Sequence, residues 1–467
     1  MPDNFDLVVI GGGPAGYGAA LYAGSAGLSV GLIEKDKVGG TCLHRGCIPA
    51  KEFLETATIA RTVRRASEFG IEASQPQVKF EVSYQRKNKV VSQLHGGLQG
   101  LLKKRKVVTY LGTGTLQADG SVEILGNDGS TTQVVGNSVL LASGSVPRSI
   151  PGFEFDGKYI LSSDDVLDLQ ALPESVVVIG GGAIGCEFAS MMADLGVQVT
   201  MLEALANILP GCDREVALVV EQGFKKKGID VRTGVKILGY TETANNTVVV
   251  SLDGGNQVEV SKVIVSVGRK PYTQDLLDDS SGVDLDEKGF VKVGPSLETS
   301  RNGVYAIGDL INTPQLAHVG FAEAMQAVKV ILGESWLPID YHRVPWCIYS
   351  NPEVAFAGYS EDQAKSLGYE VVTHKTRFSG NSRAMIIGET EGLVKVVCQV
   401  DSTGKAGSIL GVHMAGPWVT EQLGAGYLAT NWEATPDDVA SFVTAHPTLS
   451  EAFGEAVLAL TGRGLHG

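Results

Sequence analysis

The sequence predicts an α/β fold: two copies of one βαβ plan, a central segment after them, and a C-terminal α+β domain. Three observations predict it. The stretch VVIGGGPAGYGAA (Val8–Ala20) is an apolar strand that runs into a glycine-rich turn and a small-residue helix. The same plan returns between Ser175 and Leu195. Residues 341–467 alternate strand and helix patterns with no glycine fingerprint.

The first copy reads as strand Leu7–Ile10, loop Gly11–Gly16, a helix to Ala26, strand Ser29–Ile33, then Glu34. The second reads as strand Ser175–Ile179, loop Gly180–Gly185, a helix to Leu195, strand Gln198–Leu202, then Glu203. In each the acid lies about 20 residues past the first glycine, where it can meet a ribose. One glycine pattern alone carries little. Two, each with strand, helix and acid in place, predict two Rossmann-like dinucleotide-binding domains. Between them the pattern is helical over Lys51–Glu68 and Val82–Lys104, then strands and turns run from Lys106 to Val135. LLASGSVPRSIPG (Leu140–Gly152) closes the first domain, with Pro147 and Pro151 marking a linker. VIVSVGRKP (Val263–Pro271) closes the second, and a strand VYAIGD (Val304–Asp309) falls in the central segment. The expected domains are 1–147, 148–270, 271–340 and 341–467.

A formal net charge of -14 argues against a nucleic-acid partner, which calls for a basic face. The basic runs Lys103–Lys106 and Lys225–Lys227 read as solvated helix ends. No stretch approaches the ~20 apolar residues of a membrane helix. Met1–Asn4 leads directly into strand with no signal-peptide pattern, so the expected location is cytoplasmic. Of six cysteines, Cys186, Cys212, Cys347 and Cys398 are scattered and read as ordinary thiols; no cluster suggests a metal.

Cys42 and Cys47 differ. They lie five positions apart in GGTCLHRGCIPAK (Gly39–Lys51). A ring that small stabilises little as a structural staple, and a cytoplasmic chain would not keep one. A redox-active pair beside a flavin accounts for both facts. Pro49 suits a first helical turn, and a thiolate near a helix N-terminus has a lowered pKa. Lys51, four residues after Cys47, shares its helical face. The glycines Gly11, Gly13 and Gly16, and again Gly180, Gly182 and Gly185, allow the tight turn, the approach of a pyrophosphate and the packing of helix on strand. Residues 204–211 hold no Arg or Lys to receive a 2′-phosphate, so the second dinucleotide is expected to be NAD. His446, with Glu451 five residues on, is the acid/base candidate. His44, His95, His342, His374 and His466 read as bystanders.

Together, GGTCLHRGCIPAK, both fingerprints, ASGSVP, GRKP, VYAIGD, QLAH and HPTLSE resemble the flavin-dependent pyridine nucleotide–disulfide oxidoreductases, in that family's order and over essentially the whole chain. The resemblance implies FAD and NAD as cofactors. It implies that Cys47 contacts the flavin, that Cys42 meets the substrate, and that Lys51 and Glu187 pair near the flavin. Gly11, Gly13, Pro14, Ala15, Gly16, Glu34, Lys35, Gly40, Thr41, Cys42, Lys51, Gly114, Ser143, Gly144, Asp309 and Ala317 would hold FAD. Gly180, Gly182, Ile184, Gly185, Glu203, Ile237 and Gly268 would hold NAD. His446 and Glu451 would act across a homodimer interface on the other subunit's disulfide.

The implied reaction is oxidation of dihydrolipoyl groups with NAD⁺, in service of the acyltransferase core and lipoyl domains of 2-oxo acid dehydrogenase complexes. An NAD(P)H-dependent reductase of glutathione or another small disulfide is the alternative; HPTLSE and Glu203 weigh against it. His44, Arg45, Ala50 and Thr444 depart from many family members. Arg45 is expected to add charge between the two cysteines.

Overall fold

The structure, a computed structural model, describes residues 3–466. Its first sheet has a parallel core in the order Val108–Leu116, Val30–Glu34, Asp3–Ile10, Thr131–Leu141, Val304–Ala306. The strand Val122–Gly126 pairs antiparallel with both Val108–Leu116 and the start of Thr131–Leu141. The strand Asp3–Ile10 ends in four buried residues, the mark of a parallel strand covered on both faces. Leu276, Val291, Leu297 and Val304 share this sheet's core, so the central segment completes the first domain's packing.

The second sheet is wholly parallel, in the order Asp230–Thr233, Gln198–Glu203, Ser175–Ile179, Lys262–Val265, Ile160–Leu161. A three-stranded antiparallel sheet, Ile237–Glu242, Val248–Leu252 and Gln257–Val260, stands beside it. The C-terminal domain is a five-stranded antiparallel sheet, Trp346–Ile348, Glu353–Gly358, Ala406–Gly416, Leu393–Val400, Val371–Arg377, carrying the helices Val419–Asn431 and Glu451–Leu460.

Two expectations need correction. The strand over Val304–Asp309 stops at Ala306, because Gly308 has φ 70° and turns the chain into a short 3₁₀ turn, Gly308–Leu310, that carries Asp309. Pro147 does not sit in free linker: Ser145–Pro147 pairs antiparallel with Arg269–Pro271, so the two crossings between the nucleotide-binding domains form one ribbon. Pro147 sits at the end of its strand, where a missing N–H is tolerated.

The helix Cys47–Arg64 belongs to the first domain by sequence and to the second by packing. Its Ala50, Phe53, Leu54 and Ala57 share a core with Phe188, Ala189 and Met192 of the helix Ala183–Asp194, and with Ile348 and Phe356 of the C-terminal sheet. Arg61 Nη1 reaches Asp194 Oδ2 at 2.7 Å across the same contact. All three domains therefore fix where this helix begins, and it begins at Cys47.

Candidate active site

One cavity of about 1600 Å³ runs from the first glycine loop, past the two cysteines, to the second glycine loop. The helices Pro14–Ser25, Ala183–Asp194 and Ala317–Ile331 all start on its wall, and none has a side-chain N-cap. Asp213, Ser360 and Thr435 cap helices that start away from it, and Ser162 caps the short helix Ser163–Leu167 that borders it. Uncapped first turns leave backbone N–H groups free, and with the positive end of the helix they favour an anion.

The glycines divide by task. A Cβ on Gly11 would sit 2.3 Å from Ala142 O, and one on Gly180 would sit 2.6 Å from Ser266 O, so both turns are closed to other residues. A Cβ on Gly182 would meet no protein atom within 4 Å, although that residue has an ordinary φ of -74°. Nothing in the chain requires glycine there; the space it leaves belongs to the cavity. Gly16 and Gly185 do not line the cavity. A Cβ on them would meet Gly11 O at 1.8 Å and Gly180 O at 1.9 Å, so they let each helix press onto its own loop.

The two acids are held alike. Glu34 Oε2 accepts from Gly12 N at 2.7 Å and its Oε1 from Asp36 N at 2.8 Å. Glu203 Oε2 accepts from Gly181 N at 2.6 Å and its Oε1 from Leu205 N at 2.7 Å. Each carboxylate is buried and fixed by two amides, with lone pairs left for a ribose. The donors fit dinucleotides at both loops. Gln315 adds a sign of a missing partner: its Nε2 is buried, unpaired, and on the cavity wall. Asp309 Oδ2 accepts from Ser145 Oγ at 2.5 Å, and Arg269 Nε donates to that Oγ at 2.7 Å.

Pro14, Ala15, Lys35, Gly40, Thr41, Gly114, Ser143, Gly144 and Ala317 also line the cavity, as do Ile184, Ile237 and Gly268 at its other end. Gln315, Ser145 and Arg269 were not singled out from sequence, although each lies inside a quoted motif.

Cys42 lies in the helix Gly40–Arg45 and Cys47 opens the next, with Gly46 between the two helices. Both line the cavity and both are thiols in this structure. The hydrogen bond from the Cys42 thiol lowers the Cys47 pKa to about 7; burial opposes this, and the Lys51 charge assists it. The same bond, together with burial, pushes Cys42 far above the ordinary thiol range. Of the two, Cys47, at the helix start and with Lys51 one turn on, is the sulfur where negative charge is favoured.

Lys51 Nζ lies 2.8 and 2.9 Å from the two carboxylate oxygens of Glu187 and 4.8 Å from the Tyr349 ring centroid. Burial alone would lower the Lys51 pKa, but Glu187 outweighs it and holds the ammonium above its usual value. Glu187 Oε1 also accepts from Tyr349 N at 2.9 Å, a tie to the C-terminal domain that no local motif signals.

Arg45 does not act as expected. Its Nη2 lies 2.8 Å from Asp36 Oδ2, turned to the rim, and the charges that act on the cysteines are those of Lys51 and Glu187.

His446 Nδ1 lies 2.9 Å from Glu451 Oε1, and Glu451 Oε2 accepts from Thr448 N at 2.8 Å. Burial would raise the Glu451 pKa, but the Thr448 amide and His446 hold it below its ordinary value. The imidazole is exposed, as are Phe442 and Val443 just before it in the chain. Neither His446 nor Glu451 lines the cavity that holds the cysteines, so the structure does not bring this pair to the redox pair within one chain.

Residues 5–324 match the family model for pyridine nucleotide-disulphide oxidoreductases, and residues 344–457 match that family's dimerisation domain. The chain belongs to this family. A dihydrolipoyl dehydrogenase of Bacillus subtilis is 40% identical over 478 residues, covering 100% of both chains. A leghemoglobin reductase of Glycine max is 37% identical over 98% of this chain and 88% of its own. LpdA from Mycobacterium tuberculosis superposes with a TM-score of 0.91 at 28% identity, covering 98% of this chain and 99% of its own. With its dimerisation domain, the chain forms a homodimer. Among the described residues no helix is long and apolar enough to cross a membrane.

Proposed function

We propose that this chain oxidises dihydrolipoyl groups to lipoyl groups and reduces NAD⁺ to NADH. The observation that carries the reading is the placement of Cys42 and Cys47, with Lys51 held by Glu187 beside them, between two dinucleotide cradles in one cavity.

In the oxidised enzyme Cys42 and Cys47 share a disulfide. A dihydrolipoyl thiol gives its proton to His446 Nε2 and attacks Cys42 Sγ. The Cys42–Cys47 bond breaks and its electron pair leaves on Cys47, the sulfur whose thiolate the site stabilises. The second substrate thiol then attacks the lipoyl sulfur of the mixed disulfide; Cys42 leaves and takes the proton held by His446, the second thiol's own proton passes to the freed His446, and lipoyl departs. Glu451 fixes the imidazole by holding Nδ1–H, which leaves Nε2 as the base. Because His446 lies outside the cavity of its own chain, the base comes from the second copy in the dimer.

FAD in the first cradle and NAD in the second supply the two-electron path from the Cys47 thiolate to NADH. Gly11, Gly13 and Glu34 bind the first cofactor, Asp309 and the Ala317 helix end orient it, and Gly182 and Glu203 bind the second. In this reading residues 1–147 and the central segment 271–340 together hold FAD, 148–270 hold NAD, and 341–467 carry His446 and Glu451. The partners are lipoyl domains and the acyltransferase core of a 2-oxo acid dehydrogenase complex, in the cytoplasm.

The test is anaerobic addition of dihydrolipoamide and then NAD⁺ to the flavin-bearing dimer. NADH should appear in proportion to the dihydrolipoamide added. An enzyme that ignores dihydrolipoamide but oxidises NADPH with glutathione disulfide would refute the proposal.

A further inference from the structure

We infer that Arg45 and Asp36 form a clasp at the rim of the first cradle that retards FAD release. The inference rests on FAD occupying that cradle and is independent of which disulfide the enzyme serves.

Four rim residues line the cavity and meet in two pairs. Arg45, the last residue of the helix Gly40–Arg45, reaches Asp36 at 2.8 Å. One position earlier, Lys35 Nζ lies 3.7 Å from the centroid of the Tyr272 ring, which comes from the start of the central segment. Asp36 N is tied to Glu34 Oε1 at 2.8 Å, and Lys35 O accepts from Asn127 Nδ2 at 3.1 Å. The two residues after the ribose-facing acid are therefore held by partners from three other places in the fold.

The Arg45 and Asp36 side chains line the cavity and are 46% and 43% exposed, whereas Glu34 on the same wall is buried. The Arg45 helix carries Cys42 and precedes Cys47. The clasp thus joins the adenosine end of the cradle to the turn between the cysteines.

An exposed ion pair is worth little to folding. At a rim it acts on a rate, because the pair must part before a long ligand can slide out. The expected size follows from exposed pairs: Arg45→Ala releases FAD about two- to five-fold faster at low salt. Raising salt to about 1 M shrinks the screening length to roughly 3 Å. That should bring the parent close to the variant rate and change the variant far less.

The experiment dilutes the flavin-bearing dimer into flavin-free buffer and measures free FAD in ultrafiltrates over time, so turnover is not read. The parent, Arg45→Ala and the exchanged pair Arg45→Asp with Asp36→Lys are compared at both salt levels. The exchange should restore slow release. Equal rates for the parent and Arg45→Ala, or an exchanged pair as fast as Arg45→Ala, would overturn the clasp and leave the proposed activity standing. A purified protein that carries no flavin would overturn both.

Discussion

Removing the Cys42 thiol should raise the Cys47 pKa more than removing the Lys51 charge. The bond from Cys42 is the largest influence that lowers Cys47 to about 7. A hydrogen bond to a charged acceptor contributes about 1.5–3 kcal/mol, and one pKa unit corresponds to about 1.36 kcal/mol, so Cys42→Ala should raise Cys47 by about 1–2 units. Cys42→Ser keeps a donor and should leave Cys47 within about half a unit of the parent.

For Lys51, an i,i+4 pair is separated by roughly 6 Å, and at an effective dielectric of about 20 a unit charge contributes about 2.8 kcal/mol, or about 2 units. The Lys51 side chain is 35% exposed and shares its charge with Glu187, so solvent screening reduces the expected shift for Lys51→Met to about one unit. The assay is the pH dependence of Cys47 alkylation by iodoacetamide in the reduced enzyme, read by peptide mass. The rate rises with pH as the thiolate forms, and its midpoint is the pKa. Equal midpoints for Cys42→Ala and Cys42→Ser would refute the reasoning.

Three further outcomes are expected. Glu451→Gln should lower kcat for dihydrolipoamide by about 10²-fold or more, since oriented general bases contribute on that scale; unchanged kcat would remove Glu451 from the site. Gly185→Ala, whose Cβ would lie 1.9 Å from Gly180 O, should abolish NADH binding measured by fluorescence quenching while the flavin absorbance is retained.

Lys395 is 4% exposed and meets Asp213 at 3.0 Å, Glu215 at 3.1 Å and Glu361 at 2.7 Å, so Lys395→Met leaves the buried Asp213 without a cation, while Glu215 keeps Lys375 and Glu361 keeps Lys365. Loss of a buried partner costs about 3–5 kcal/mol, read by denaturant unfolding. The hydrogen bonds from Lys365 and Lys395 hold Glu361 below its ordinary 4.5. A carboxylate depressed on folding stabilises above its unfolded pKa and loses that effect as pH falls through its folded one. The parent should therefore weaken in acid below about 4.5, and Lys395→Met should show less of that acid loss.

The parts legible in sequence were those written in short spacings. Both glycine loops, the acids after them and the Cys42–Cys47–Lys51 series each occupy one βαβ unit or one helix start, so period and position reveal them. What escaped depends on residues brought together from far apart. Tyr349 supports Glu187 through a backbone amide, which leaves no trace in side-chain chemistry. Ser145 and Arg269 meet only because the two crossings pair as a ribbon. Arg45 neighbours the cysteines in sequence but not in action, because its long side chain reaches back to Asp36. The strand through Asp309 was overextended because Gly308 reads as neutral in an apolar run, while its positive φ ends the strand.

The Tyr349 amide ties the Lys51 partner Glu187 to the part of the chain that is made last. During synthesis Cys47 and Lys51 emerge long before residue 349 exists. Until the C-terminal sheet docks, Glu187 lacks that donor and the cysteine helix lacks part of its packing. The final placement of the cysteine helix therefore waits on the last domain: Glu187 gains its Tyr349 amide, and Ile348 and Phe356 join the helix's core, only after residues 341–467 exist.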